Sequence, residues 1–380
     1  MVALTGAGPF TMQILVPTLP ALGVAFAAPP VSVQMVLTLY LAGVAVAPLA
    51  YGPLSDRFGR RPVLLAALCV FVIGSAAAAA VATLGGLIWA RVVQAIGACA
   101  GMVLVRAIIR DTHGRERSAS LIGYVTMGMT VAPMVAPMVG ALLEEHAGWR
   151  AVLLACLAVA APLLVATWRW LPETLPAPQP LPGLAGMLRV YGALLALPGF
   201  RAYAAVSTCS TGIFFAFISG APYIVVNGLG LPPTAYAAAF MSISVSYALG
   251  NFLAGRLSVG VGLLRMLRAG VGLTSVAAIG MLAAVMLLPA HIATLFGPMA
   301  VVALGNGISQ PNALAGAVSV RPELAGTASG LAGFAAMAFG AVLSYVVAVI
   351  ETGTGVATAA VMCACGLAAQ VALRMVPKGG

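Results

Sequence analysis

The 380 residues are 62% hydrophobic and only 7% charged, with a mean hydropathy of +1.10. That leaves too little polar surface to cover a soluble globule, and apolar runs of about 20 residues, without the ten-residue alternation of a membrane barrel, make the chain an all-helical integral membrane protein. A formal net charge of +10 invites a nucleic-acid reading, but the basic residues sit at the ends of the apolar runs, where membrane topology puts them, so no nucleic-acid partner is expected.

The first span is expected over residues 2–26, where Pro9, Pro17 and Pro20 interrupt the hydrogen-bond ladder and free carbonyls that must face protein or a wet cavity. It begins at the N-terminus without a basic leader or a cleavage site, and reads as an anchor. A second span over 31–54 carries Gln34, Thr38 and Tyr40.

Next comes the most charged stretch, residues 51–65, YGPLSDRFGRRPVLL, read as a short hairpin at a membrane surface. Gly52 and Gly59 allow a tight turn and close helix approach, Asp56 can cap a helix or pair with an arginine, and Pro62 suits a first helical turn. Gly52, Leu54, Asp56, Arg57, Gly59, Arg60 and Arg61 match in register the signature loop of the major facilitator superfamily, which this segment resembles. The resemblance implies twelve transmembrane helices in two pseudo-symmetric six-helix bundles. It also implies a gating role for Gly52, Asp56, Arg57, Gly59, Arg60 and Arg61. With this loop inside, every Arg and Lys except Arg91 and Arg150 falls at an inward end or loop, so both termini are expected in the cytoplasm.

A third span (62–82) leads to a fourth that contains Arg91 and Gln94, three apart and on one face. A mid-membrane arginine costs roughly 2.5 to 3.5 kcal/mol on insertion scales. Arg91 therefore has a polar partner or a wet cavity, or else snorkels to the outer surface. Gly97, Ala98 and Gly101 form a smooth flank below it. The pattern around Arg91 resembles the fourth-helix motif of the superfamily's drug transporters, which implies a part in proton handling. A fifth span (118–143) contains Gly128, Pro133 and Pro137, which either kink the helix simply or resemble the fifth-helix motif of antiporters in the superfamily. A sixth follows the interfacial pair Trp149 and Arg150.

The proline-rich residues 172–198 divide an N-terminal bundle (1–171) from a C-terminal one (199–380) and are read as a cytoplasmic linker. The seventh span (200–226) presents Phe214, Phe217 and Tyr223, which either line a cavity or pack. Gly250, Gly255, Arg256 and Arg265 look like a decayed copy of the first hairpin, as an internal repeat predicts. The tenth span (292–318) carries Asn306, Gln310 and Asn312, and the eleventh (323–348) a small-residue face, AGTASGLAG. Six cysteines, all in apolar runs, read as small buried hydrophobes and not as metal ligands. No cofactor is expected, and no catalytic constellation falls within a span.

The motifs PLSDRFGRRPVLL, VRAIIRD, WRWLPETL, SGAPYIV and QPNALAGA together resemble the Bcr/CflA group of bacterial drug exporters along nearly the whole chain. That implies a bacterial inner-membrane protein, a monomer, exporting small antibacterial compounds in exchange for protons by alternating access. The expected cavity is lined by Gln13, Tyr40, Arg91, Gln94, Phe214, Phe217, Tyr223, Gln310 and Asn312. The group's first-helix acid aligns with Gln13, which cannot titrate. A proton would then use a boundary carboxylate such as Asp56 or Asp111, or the chain is a facilitator or a differently coupled transporter.

Overall fold

The computed structural model describes residues 1–113, 115–175 and 184–376, apart from the side chains of 115–120, 123, 124, 126–128, 130, 184 and 185. The described residues are helical, with no strand among them, and divide into two compact units, Met1–Gly183 and Leu184–Gly380.

In the first unit, the opening span is three pieces: α1 (Val2–Gln13), a 3-10 turn (Val16–Thr18) and α2 (Leu19–Ala25). Pro17 has no N–H to continue the ladder, so the helix yields at that point. α3 (Pro30–Phe58) and α4 (Arg60–Ala80) are joined by Gly59 alone. The fourth span breaks at Cys99 into α5 (Leu84–Ala98) and α6 (Ala100–Thr112), and α7 (Arg115–Ala147) and α8 (Trp149–Trp170) complete the unit.

In the second unit, α9 (Leu184–Ala196) is a helix inside the stretch expected to be a linker. α10 (Pro198–Tyr223) continues into a π-helical turn, Ile224–Gly228, and is followed by α11 (Pro233–Val261), α12 (Leu263–Leu287), α13 (Ile292–Ser319), α14 (Ala325–Ile350) and α15 (Val356–Arg374). Eleven spans among the described residues are long and apolar enough to cross a membrane. α7, with part of its side chains undescribed, takes the remaining place in the expected twelve.

Apolar lipid gives helices little hydrophobic reason to associate, so close backbone approach has to hold them. In the first unit a Cβ on Gly97 would collide with the backbones of Phe71 and Ala67, and one on Gly101 with the carbonyl of Leu4. In the second unit Gly250 meets Gly307 and Gly270 meets Gly305, which draws α11 and α12 onto α13.

The internal repeat is visible in detail. α3 and α11 are both 29 residues long, both follow a proline, and both end at a glycine of positive φ, Gly59 at 101° and Gly262 at 93°. In that register the position of Asp56 is held by Val259 and that of Arg60 by Leu263, so the second copy keeps the turn and loses the charges. Ser55, which accepts from Arg60, becomes Ser258, whose buried hydroxyl has no partner.

Several expectations are corrected. Gly52 makes no turn: it lies inside α3, which runs on to Phe58, and a Cβ there would meet nothing within 4 Å. The second hairpin turns at Gly262, and Gly255 lies inside α11 as Gly52 lies inside α3. The AGTASGLAG face packs through Ala328 and Ala332, buried in a cluster with Phe200, Ala204 and Ala317, and not through Gly326, Gly330 and Gly333, which meet nothing within 4 Å; a close glycine contact on α14 is Gly340 against the Phe215 ring. The prolines of the expected kink, Pro133 and Pro137, both lie inside α7 as kinking prolines do, and the surroundings of Gly128 lie outside the described residues. Cys99, Cys156 and Cys365 are buried, but Cys69 is exposed. Lys378 and residues 176–183 also lie outside the described residues.

Candidate functional site

Three constellations gather the polar side chains. The first is a buried cluster in the middle of the first unit. Arg91 is 0% exposed, so it does not snorkel. Its Nη1 and Nη2 both donate to the carbonyl oxygen of Thr11 at 3.2 Å, and Nη1 also donates to Gln94 Oε1. Gln94 passes the chain on through Nε2 to Ser75 Oγ at 2.8 Å, and Ser75 donates to the Phe71 carbonyl at 2.7 Å. The Tyr40 ring lies 4.1 Å from the guanidinium carbon, and its hydroxyl donates to the Gly8 carbonyl at 3.1 Å.

The local reason is the break in the first span. Thr11 lies just ahead of the Pro17 interruption, where helical N–H groups run out, and Arg91 and Tyr40 reach across from α5 and α3 to grip α1 by its carbonyls. Gln13, on the same turn, is 1% exposed, and its Oε1 has no hydrogen-bond partner. The structure thus brings Tyr40, Arg91 and Gln94 together, with Gln13 two residues from the carbonyl that Arg91 holds.

The second constellation is charged and closes one end of the same unit. Arg60 donates through Nη1 to Asp56 at 2.5 Å and to Ser55 Oγ at 2.7 Å, and through Nε to Asp111 at 2.8 Å. Asp56 is 44% exposed and Asp111 18%, so the Asp111 arm is less screened by water. Glu173, just past α8, accepts the backbone N–H groups of Arg60 at 3.0 Å and Arg61 at 3.2 Å. Those are the first two donors of α4, left without helical partners, so a carboxylate from 113 residues away caps the helix. Burial pushes the Glu173 carboxyl up, but the N–H groups of Leu175, Thr174, Arg60 and Arg61 outweigh it and hold it below the ordinary carboxylate value. Arg61 donates to the Trp168 carbonyl at 2.9 Å, while Arg57 is exposed. The loop motif is therefore a clasp on Arg60 that joins the ends of α3, α4, α6 and α8.

The third constellation lies in the second unit. Gln310 on α13 accepts from Ser207 Oγ at 2.7 Å and donates to the Ser207 carbonyl at 3.2 Å and Thr211 Oγ1 at 2.8 Å. Beside it Asn306 donates to the Ser210 carbonyl at 3.1 Å. Asn312 does not join them, because its amide donates to Ile308 of its own helix. The aromatics form a chain: Phe214 near Phe240 (6.4 Å), Phe240 near Tyr236 (5.8 Å), Tyr236 near Phe296 (5.7 Å) and Phe296 near Phe217 (5.2 Å). Phe217 is wholly buried in this packing, and Tyr223 is buried with its hydroxyl lacking a partner.

Sequence reasoning missed Glu173 and Thr11. The signal for Glu173 was its position, a single carboxylate directly after the sixth span in WRWLPETL. Thr11 gave none, because its backbone does the work.

A family model described as Major Facilitator Superfamily matches residues 1–345. The chain is 31% identical over 361 residues to an uncharacterized MFS-type transporter, YdgK, of Bacillus subtilis (strain 168), covering 93% of this chain and 89% of that one. It is 31% identical over 307 residues to multidrug resistance protein D of Escherichia coli (strain K12), covering 80% and 75%. With the bicyclomycin resistance protein homolog of Haemophilus influenzae it shares 26% identity over 362 residues, covering 94% and 90%. The xylose transporter XylE from E. coli, in a partially occluded inward-open conformation, superposes with a TM-score of 0.77 at 15% identity over 100% of this chain and 98% of that one, a likeness of fold.

Proposed function

The chain belongs to the Major Facilitator Superfamily and is a multi-pass membrane transporter rather than an enzyme, and from that premise we propose that it exports small antibacterial compounds across the bacterial inner membrane by alternating access. The observation that carries this reading is the likeness to proteins named for multidrug and bicyclomycin resistance over 80% and 94% of the chain. In it the Arg60 clasp faces the cytoplasm with both termini, and the protein works as a monomer.

Each constellation then has a part. The clasp keeps the inward ends of α3, α4, α6 and α8 moving as one piece, with Asp56 its exposed and releasable arm, as a gate requires. Tyr40, Arg91 and Gln94 in the first unit, with Gln310, Phe214, Phe217 and Tyr223 in the second, belong to the substrate route. Aromatic walls suit ligands of varied shape.

Proton exchange is the coupling we assign, and it runs without an acid in the first span, because Gln13 stands there. A boundary carboxylate then carries the proton, such as Asp56 or Asp111, which both sit on Arg60. A second reading, a facilitator or a differently coupled transporter, is favoured by Gln13 itself. Accumulation of a panel of antibacterials in efflux-deficient cells tests export: lower accumulation in cells that make this chain supports it, and equal accumulation across the panel refutes it. Collapse of the pH gradient separates the two couplings.

A further inference from the structure

Arg91 is a buried guanidinium, and its partners are neutral. A carbonyl, an amide oxygen and a ring face relieve part of the desolvation but cancel no charge. Among the described residues no carboxylate lies within ion-pair distance of it, and Asp56, Asp111 and Glu173 are engaged around Arg60 and Gly59.

The guanidinium has five N–H groups in a fixed plane. The Thr11 carbonyl takes one from each terminal nitrogen, end on, and Gln94 takes the second of Nη1. What is left is the N–H of Nε, buried and without an acceptor, and the second N–H of Nη2 beside it. These two form the side edge of the guanidinium, the edge that holds a carboxylate by two parallel hydrogen bonds. Arg91 is also the polar residue in the lining of a cleft whose other walls are Met12, Leu15, Val16, Leu19 and Leu37. The cleft has no room for a water molecule as it stands, so a guest enters by displacing apolar walls.

We infer that Arg91 receives the carboxylate of an amphiphilic organic acid, whose apolar body lies against Met12, Leu15, Val16, Leu19 and Leu37. The inference rests on the export reading and narrows its substrate class: the counter-charge that other chains could supply from a first-span acid is here supplied by the cargo.

The test uses the full chain purified in detergent, with salicylate and its neutral isostere salicylamide as probes, by calorimetric titration at pH 7. Salicylate is expected to bind at least tenfold more tightly than salicylamide, with the preference abolished in Arg91→Gln and reduced in Arg91→Lys. Equal affinity of the parent for the two compounds overturns the inference without any variant, so a folding failure of Arg91→Gln leaves it testable. An undiminished preference in a folded Arg91→Gln also overturns it, as does a response to chloride that salicylate does not exceed. Export of neutral antibacterials without acid preference would sink this inference and leave the export reading standing, whereas absence of export for both classes sinks the export reading.

Discussion

Glu173 occupies the space that a side chain on Gly59 would need: a Cβ built there lies 2.5 Å from its Oε2. The single-residue turn between α3 and α4 and the cap on α4 therefore depend on one another. Gly59 has φ of +101°, a region that costs a side-chain-bearing residue about 1 to 3 kcal/mol.

Gly59→Ala should accordingly lose about 2 to 4 kcal/mol, the strain plus the displaced cap. Gly52→Ala, in open space on a helix, should be neutral or gain up to about 1 kcal/mol. Thermal unfolding of the two purified variants checks the contrast. Equal behaviour would show that both glycines do the same thing.

Glu173 gives a pH dependence of known sign. Its folded carboxyl titrates below the ordinary value of 4.5, so its capping contribution is fully present above that value and is lost as pH falls through the lower folded value. The melting temperature of the parent should exceed that of Glu173→Gln at pH 7, and the difference should shrink as the pH is taken below about 4.5. A difference that grows on acidification contradicts the cap.

The two arms of the clasp should be unequal. Asp56 is the more exposed, and such an ion pair is worth about 0 to 1 kcal/mol, so Asp56→Asn should barely change stability. Asp111→Asn weakens the more sheltered bond and should cost about 1 to 2 kcal/mol. If Asp56 is the releasable arm, its variant alters export rate far more than unfolding, which side-by-side transport and melting curves would reveal.

Arg91→Ala should abolish export and lower stability, because it frees the Thr11 carbonyl and strands Gln94 together. Gln13→Asp restores a titratable group to the first span, and export by that variant should steepen with the pH gradient relative to the parent. An unchanged gradient dependence would mean that position 13 plays no part in coupling.

Much of this architecture was legible in the chain, and the reasons are particular. Charge is so rare here that residues 51–65 stand out, and the cost of a mid-membrane arginine left Arg91 a polar partner, a wet cavity or the outer surface, of which the fold takes the first. Pro9, Pro17 and Pro20 all predict an interruption of the first span, and it breaks around Pro17 while Pro9 lies inside α1. What stayed hidden was carried by backbone or by distance. Thr11 acts through its carbonyl, and Glu173 is brought to Gly59 only by the packing of α8 on α4. The glycines of AGTASGLAG and of α13 read alike, yet Gly305 and Gly307 of α13 meet α12 and α11 while Gly326, Gly330 and Gly333 meet nothing within 4 Å. Composition reports that a face is small, and only the fold decides what lies opposite.

The most direct measurement is transport by the purified chain in proteoliposomes with an imposed pH gradient and a fluorescent antibacterial substrate. Gradient-driven movement against the concentration gradient, lost in Arg60→Ala and Arg91→Ala, is the predicted result. Movement that only follows the concentration gradient, at the same rate with and without the pH difference and in both variants, would contradict it.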